Sequence, residues 1–138
     1  MAYEIKDSEI PEKLADHFSS QSGILLVFLY GSAASGMMTK DSDIDVGILF
    51  EHRPDYFEVN QLAGDLNALF KREIDIAVLN SASPILQMQV LKNGVLVYAK
   101  DKKPYHQFYV DTLNQYDDLK QTRKICEDSI LKGRIYAR

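Results

Sequence analysis

A chain of 138 residues, 46% hydrophobic and 26% charged, has the makeup of one soluble globular domain and is too short for two with proper cores. A net charge of −4 argues against a protein whose main work is gripping nucleic acid, since phosphate binding needs a basic surface. It is compatible with a basic protein partner or with a nucleotide carried in as its Mg²⁺ complex. The lone cysteine, Cys126, rules out an internal disulfide. The charged N-terminus lacks the apolar stretch of a signal peptide, and no apolar run is long enough to span a bilayer. A cytoplasmic location without membrane contact is expected.

IPEKLADHFSS, following Asp7-Ser8, predicts a first helix. Ser8 is the candidate N-cap, Pro11 is tolerated in the first turn, and Ile10, Leu14 and Phe18 share one face. The run Ile24 to Tyr30 is apolar on both faces and predicts a central strand. Gly31 and Ser32 open a loop in which glycine lets the backbone approach a ligand closely. Ala33, Ala34 and Ser35 suit a short helix just after the turn, whose N–H groups would cradle phosphates with the Ser32 hydroxyl. Taken alone, a Gly-Ser pair is more often a plain tight turn.

Met37 to Ser42 is a polar turn in which Asp41 reads as solvent-exposed, while Ser42 is either a turn residue or a phosphate contact. Asp43 to Phe50 predicts the second strand. Side chains alternate along a strand, so Asp43 and Asp45 point one way while Ile44 and Val46 point into a core. Two adjacent carboxylates repel, and a divalent cation with a preference for hard oxygen ligands, such as Mg²⁺, removes the conflict.

A helix is expected from about Asp55 to Lys71, burying Val59, Leu62, Ala63, Leu66 and Leu69-Phe70. Glu73 to Leu79 predicts a third strand in which Asp75 interrupts an apolar sequence. A carboxylate at a core-strand position has to be metal-bound or paired, for example with Arg72. Ser81 to Pro84 announces a helix over Ile85–Asn93, with Gly94 as its C-cap. Val95 to Tyr98 predicts a short edge strand and Lys100 to Pro104 a charged linker. From Tyr105 to about Lys132 a tyrosine-rich helical stripe runs without Gly or Pro; it either covers the sheet or waits for a partner. His17, His52 and His106 have no metal-spaced companions and read as surface residues.

Gly31-Ser32, ten residues, then Asp43-Ile44-Asp45, with Asp75 on a later strand, resembles the polymerase-beta-like nucleotidyltransferases. The short length resembles the minimal nucleotidyltransferases (MNT proteins), the antitoxin halves of HEPN/MNT toxin–antitoxin pairs. The resemblance covers Leu25 to Leu79 with good specificity. It implies an α/β (α+β) fold: a small mixed sheet with helices on one side, closed by the long C-terminal helix. In that fold Asp43, Asp45 and Asp75 are brought together from neighbouring strands. All 138 residues would form a single domain, with residues 104–132 as a helix for partner contact.

The resemblance also implies that Asp43, Asp45 and Asp75 are catalytic and bind two Mg²⁺ ions, while Gly31, Ser32 and Ser42 hold the nucleotide. ATP would be the substrate, and AMP would pass to a tyrosine of a HEPN RNase toxin. Many members carry an arginine or another large polar residue just after the Gly-Ser pair, whereas this chain has Ala33, Ala34 and Ser35, so a cationic contact from that turn is missing and Lys40 is a candidate replacement. Three other readings stay open: neutralisation by binding alone, a small-molecule (aminoglycoside-type) nucleotidyltransferase, and, ranked last, an RNA terminal transferase.

Overall fold

The computed structural model describes residues 7–31, 34 and 43–136. Helix α1 (Ile10–Ser19) follows a 3₁₀ turn, Asp7–Glu9, and buries Ile10, Leu14 and Phe18 at the i, i+4, i+8 spacing of one helical face. Ser8 lies inside that turn, so it is not the cap; Glu9 takes the cap position without a side-chain bond. Strand β1 (Ile24–Tyr30) pairs antiparallel with both β2 (Ile44–Phe50) and β4 (Val95–Ala99). Strand β3 (Ile74–Val78) runs parallel to β2, giving the order β3-β2-β1-β4. A parallel pair needs a crossover, which helix α2 (Tyr56–Phe70) supplies.

β1 and β2 are apolar on both faces, and each face is covered. On one, Val27, Leu29, Val46, Ile48 and Ile74 pack against Ile10, Leu14 and Phe18 of α1 and Leu62, Leu66 and Phe70 of α2. On the other, Leu26, Phe28 and Leu79 meet Val90 of α3 (Pro84–Asn93) and Phe108 of α4 (Lys102–Tyr136). Helices therefore flank both faces, where one was expected; an apolar strand left bare on one side would expose its alternate residues to water. Leu69, expected in the buried stripe of α2, is exposed at 39%.

The helix ends are set locally. Asp55 caps α2 by accepting from the Glu58 N–H at 2.7 Å, and Ser83 caps α3 by accepting from the Leu86 N–H at 3.2 Å. Gly94 ends α3 as expected, though not through a left-handed backbone, since its φ is −84°. Its reason is crowding: a Cβ there would run into the carbonyls of Val90 and Leu29. α4 begins at Lys102, ahead of the expected Tyr105, because Pro104 in the first turn forfeits no helical hydrogen bond.

At one end of the sheet Asn80 binds both main-chain groups of Phe50, accepting from its N–H and donating to its carbonyl at 2.9 Å each. This locks the close of β3 to the close of β2. β4 forms one edge of the sheet, and its Val95 and Leu96 are exposed at 45% and 39%.

Candidate active site

The carboxylates gather at the other end of the sheet, where β1 finishes and β2 and β3 begin. The register pairs Tyr30 with Asp45 across β1 and β2, and Asp45 with Asp75 across β2 and β3. Asp43 lies one residue before β2 and is exposed. Since residues 43 and 45 alternate with the buried Ile44, the strand start offers both carboxylates together. Asp75 is the third, in line with Asp45 on the neighbouring strand.

Gly31 closes β1 with φ +69°, in the left-handed region that glycine occupies without cost. A Cβ on it would collide with the Asp45 carboxylate. The turn continues with Ala34 N–H donating to the Gly31 carbonyl at 3.2 Å. Glycine is thus required twice, for the backbone angle and for the space that Asp45 fills. Ser32 and Ser42, expected to hold the nucleotide, lie outside the described residues, as do Lys40 and Asp41.

The electrostatics follow from this crowding. The Asp45 carboxyl is held above the usual carboxylate range, first by its partial burial, then by the charges of Asp75 and Asp43. The Tyr30 phenol is pushed up to about 12, by burial and then by Asp45 and Asp75, so it stays protonated at neutral pH. Asp75 itself is exposed, because β3 is an edge strand. The premise that it must be satisfied because it sits in a core is corrected: Asp45 is the group under strain, with two like charges beside it.

Among the described residues, no group of three or more His, Cys, Asp or Glu side chains is placed to hold a metal ion. The donor set still fits a magnesium ion. Mg²⁺ takes few protein carboxylates and completes its octahedron with water and phosphate oxygens, so an open cluster of hard oxygens around a strained Asp45 suits it. A hollow of about 460 Å³, lined by Gln21, Ile24, Phe50, His52, Arg53 and Leu62, lies at the opposite end of β1 and β2. It is remote from the carboxylates, and charge geometry, which size does not replace, marks the site.

The sequence profile described as Polymerase beta, Nucleotidyltransferase matches residues 12–103. The chain belongs to that family. A curated relative of this nucleotidyltransferase, from Shewanella oneidensis, is called protein adenylyltransferase MntA; it is 26% identical over 128 residues, 93% of this chain and 89% of the relative. A crystal structure of a toxin–antitoxin with AMP-PNP superposes with a TM-score of 0.73 at 26% identity, covering 92% of this chain and 99% of that one. A tri-AMPylated Shewanella oneidensis HEPN toxin in complex with MNT antitoxin gives a TM-score of 0.72 at 23% identity, covering 91% of this chain and 99% of that one, a likeness that speaks for the fold alone.

Two residues of this nucleotidyltransferase domain stand at the site without any motif to mark them. In the sequence Tyr30 is only the last residue of an apolar run, yet it stands in register with Asp45. Asn67 belongs to no motif in the sequence, yet its side chain accepts from the Ile74 N–H at 2.8 Å, next to Asp75. The available signal was an Asn one turn from the end of α2, a place where side-chain acceptors serve the following loop.

Proposed function

We propose that this nucleotidyltransferase is an antitoxin that transfers AMP from ATP to a tyrosine hydroxyl of a cognate HEPN RNase toxin in the cytoplasm, and so neutralises it. The observation that carries the reading is the register of Asp45 with Asp75, with Asp43 alongside and Gly31 clearing space for the Asp45 carboxylate. The relatives called an adenylyltransferase and a toxin–antitoxin with AMP-PNP supply the nucleotide and the partner.

Asp43, Asp45 and Asp75 would hold two Mg²⁺ ions. Bound there, magnesium supplies charge for the phosphates and acidity for the acceptor hydroxyl. The acceptor oxygen forms a bond to the α-phosphorus, the bond from that phosphorus to the bridging oxygen breaks, and pyrophosphate leaves with the electron pair. The hydroxyl proton passes to solvent. Gly31, Ser32 and Ser42 form the nucleotide contacts, and Tyr30, in register with Asp45, keeps its phenol protonated beside the carboxylates.

Residues 1–138 act as one catalytic domain, and the helix that includes 104–132 meets the partner. Tyr109 and Val110 on it are exposed at 45% and 49%, apolar surface of the kind interfaces use. Neutralisation by binding alone does not account for three like charges at one end of the sheet, an arrangement that costs stability when no cation is bound.

The test is intact mass spectrometry of the cognate toxin incubated with this chain, Mg²⁺ and each nucleoside triphosphate. Mass steps of one AMP, absent with Asp43→Asn, are expected. A stable complex without any mass step would leave neutralisation by binding alone as the function.

A further inference from the structure

We propose that Asn67 is a positioning residue that sets the carboxylate of Asp75 against that of Asp45. The proposal rests on the reading of Asp75 as part of the transfer site.

β3 is an edge strand whose inner side is bonded to β2. Ile44 N–H donates to the Glu73 carbonyl at 2.9 Å, and Leu79 N–H donates to the Ile48 carbonyl at 2.8 Å. Along a strand the main-chain groups of successive residues point to opposite sides. The Ile74 N–H therefore faces the outer edge, where no further strand exists among the described residues. Asn67 Oδ1 accepts from it at 2.8 Å. Facing an N–H, the amide must present its oxygen, so its orientation is fixed by chemistry.

The same residue holds the turn that leads to the strand. Its main-chain carbonyl accepts from the Lys71 N–H at 2.7 Å, and Lys71 sits in the left-handed region with φ 53°. Residues 71–73 are thus suspended between two hydrogen bonds donated to Asn67, from the Lys71 N–H at one end and the Ile74 N–H at the other. Ile74 is buried and in register with Ile44, and the next residue on each strand is a carboxylate of the cluster. Without the side-chain bond, the start of an edge strand is held from one side only, and like-charge repulsion from Asp45 pushes Asp75 outward. Small misplacements at a reacting centre are expensive in rate, since about 1 Å can cost on the order of a hundredfold.

The experiment uses the full chain with its cognate toxin and compares Asn67→Ala, Asn67→Ser, Asn67→Asp, Asp75→Asn and the double variant Asn67→Ala/Asp75→Asn. Both kcat and KM for ATP are measured for AMP transfer, together with Tm. Serine stops short of the Ile74 N–H and serves as the second removal variant should alanine fail to fold. Aspartate keeps an acceptor in place but adds a negative charge at a helix C-terminus, which lowers Tm.

The expected result is a kcat about tenfold lower for the alanine and serine variants, with KM for ATP within about twofold. The aspartate variant keeps kcat within about twofold despite its lower Tm. The double variant transfers no more slowly than Asp75→Asn alone, because the two residues act as one unit. Equal loss in the aspartate and alanine variants, or additive loss in the double, would overturn the assignment. Full transfer by Asp75→Asn would instead sink the reading of the site itself, whatever Asn67 does.

Discussion

Asp45 faces Asp75 across two parallel strands while the Cα of Gly31 lies against its carboxylate from a third. Three segments far apart in sequence are committed to one charged group.

Replacing Asp45 separates activity from stability. Its folded carboxyl titrates above its unfolded value, so its contribution to stability is fully present below the unfolded carboxylate range and is lost as pH rises through the raised folded value. At neutral pH the charge is therefore a burden on the metal-free protein. Asp45→Asn is expected to raise the Tm of the protein in EDTA and to abolish AMP transfer. Thermal melts with and without EDTA check this, and a lower Tm for the variant in EDTA would contradict the electrostatic account.

Magnesium should act on the wild type in the opposite sense. An ion that binds the folded state stabilises it by mass action, so Tm rises with added Mg²⁺ and falls back with chelator. The rise should be much smaller in Asp45→Asn, whose donor set is broken. Equal rises in both proteins would place the ion elsewhere.

Gly31→Ala is expected to be worse than its single methyl suggests. A side chain at φ +69° costs about 1–2 kcal/mol, and this one also displaces the Asp45 carboxylate. Both the denaturant midpoint and the transfer rate should fall. An alanine variant with wild-type kcat would show that Asp45 does not need its present position.

Asn80→Ala is the control at the other end of the sheet. Two bonds of 2.9 Å to Phe50 are lost, so stability drops by about 1–3 kcal/mol. The carboxylates lie at the opposite strand ends, and kcat measured well below Tm is expected to stay within about twofold. A large loss of kcat would mean that strand pairing is transmitted along the whole sheet.

Much of this was legible beforehand for a physical reason. Period-two alternation around Asp43 and Asp45, and apolar runs bounded by Gly and Pro, are local signals, and the structure keeps them. The neighbourhood of the three strands was also expected, and the register puts Asp75 opposite Asp45. What the sequence did not convey was long-range. The cover on both sheet faces depends on where α3 and α4 return, and the exposure of Asp75 on which strand ends at an edge. The clamps by Asn67 and Asn80 join residues 7 and 30 positions apart, and no periodicity announces them.

The two sheet edges differ in how they meet other chains. β3 has its first outward N–H engaged by Asn67, and it carries the charge of Asp75. β4 offers Val95, Leu96, Val97, Tyr98 and Ala99 with no proline and no charge, and among the described residues it is paired on one side only. Such an edge is a template for another strand. Produced without a partner, the chain should therefore self-associate through β4, and a lysine at Leu96, exposed at 39%, should suppress precipitation while leaving the carboxylate end untouched.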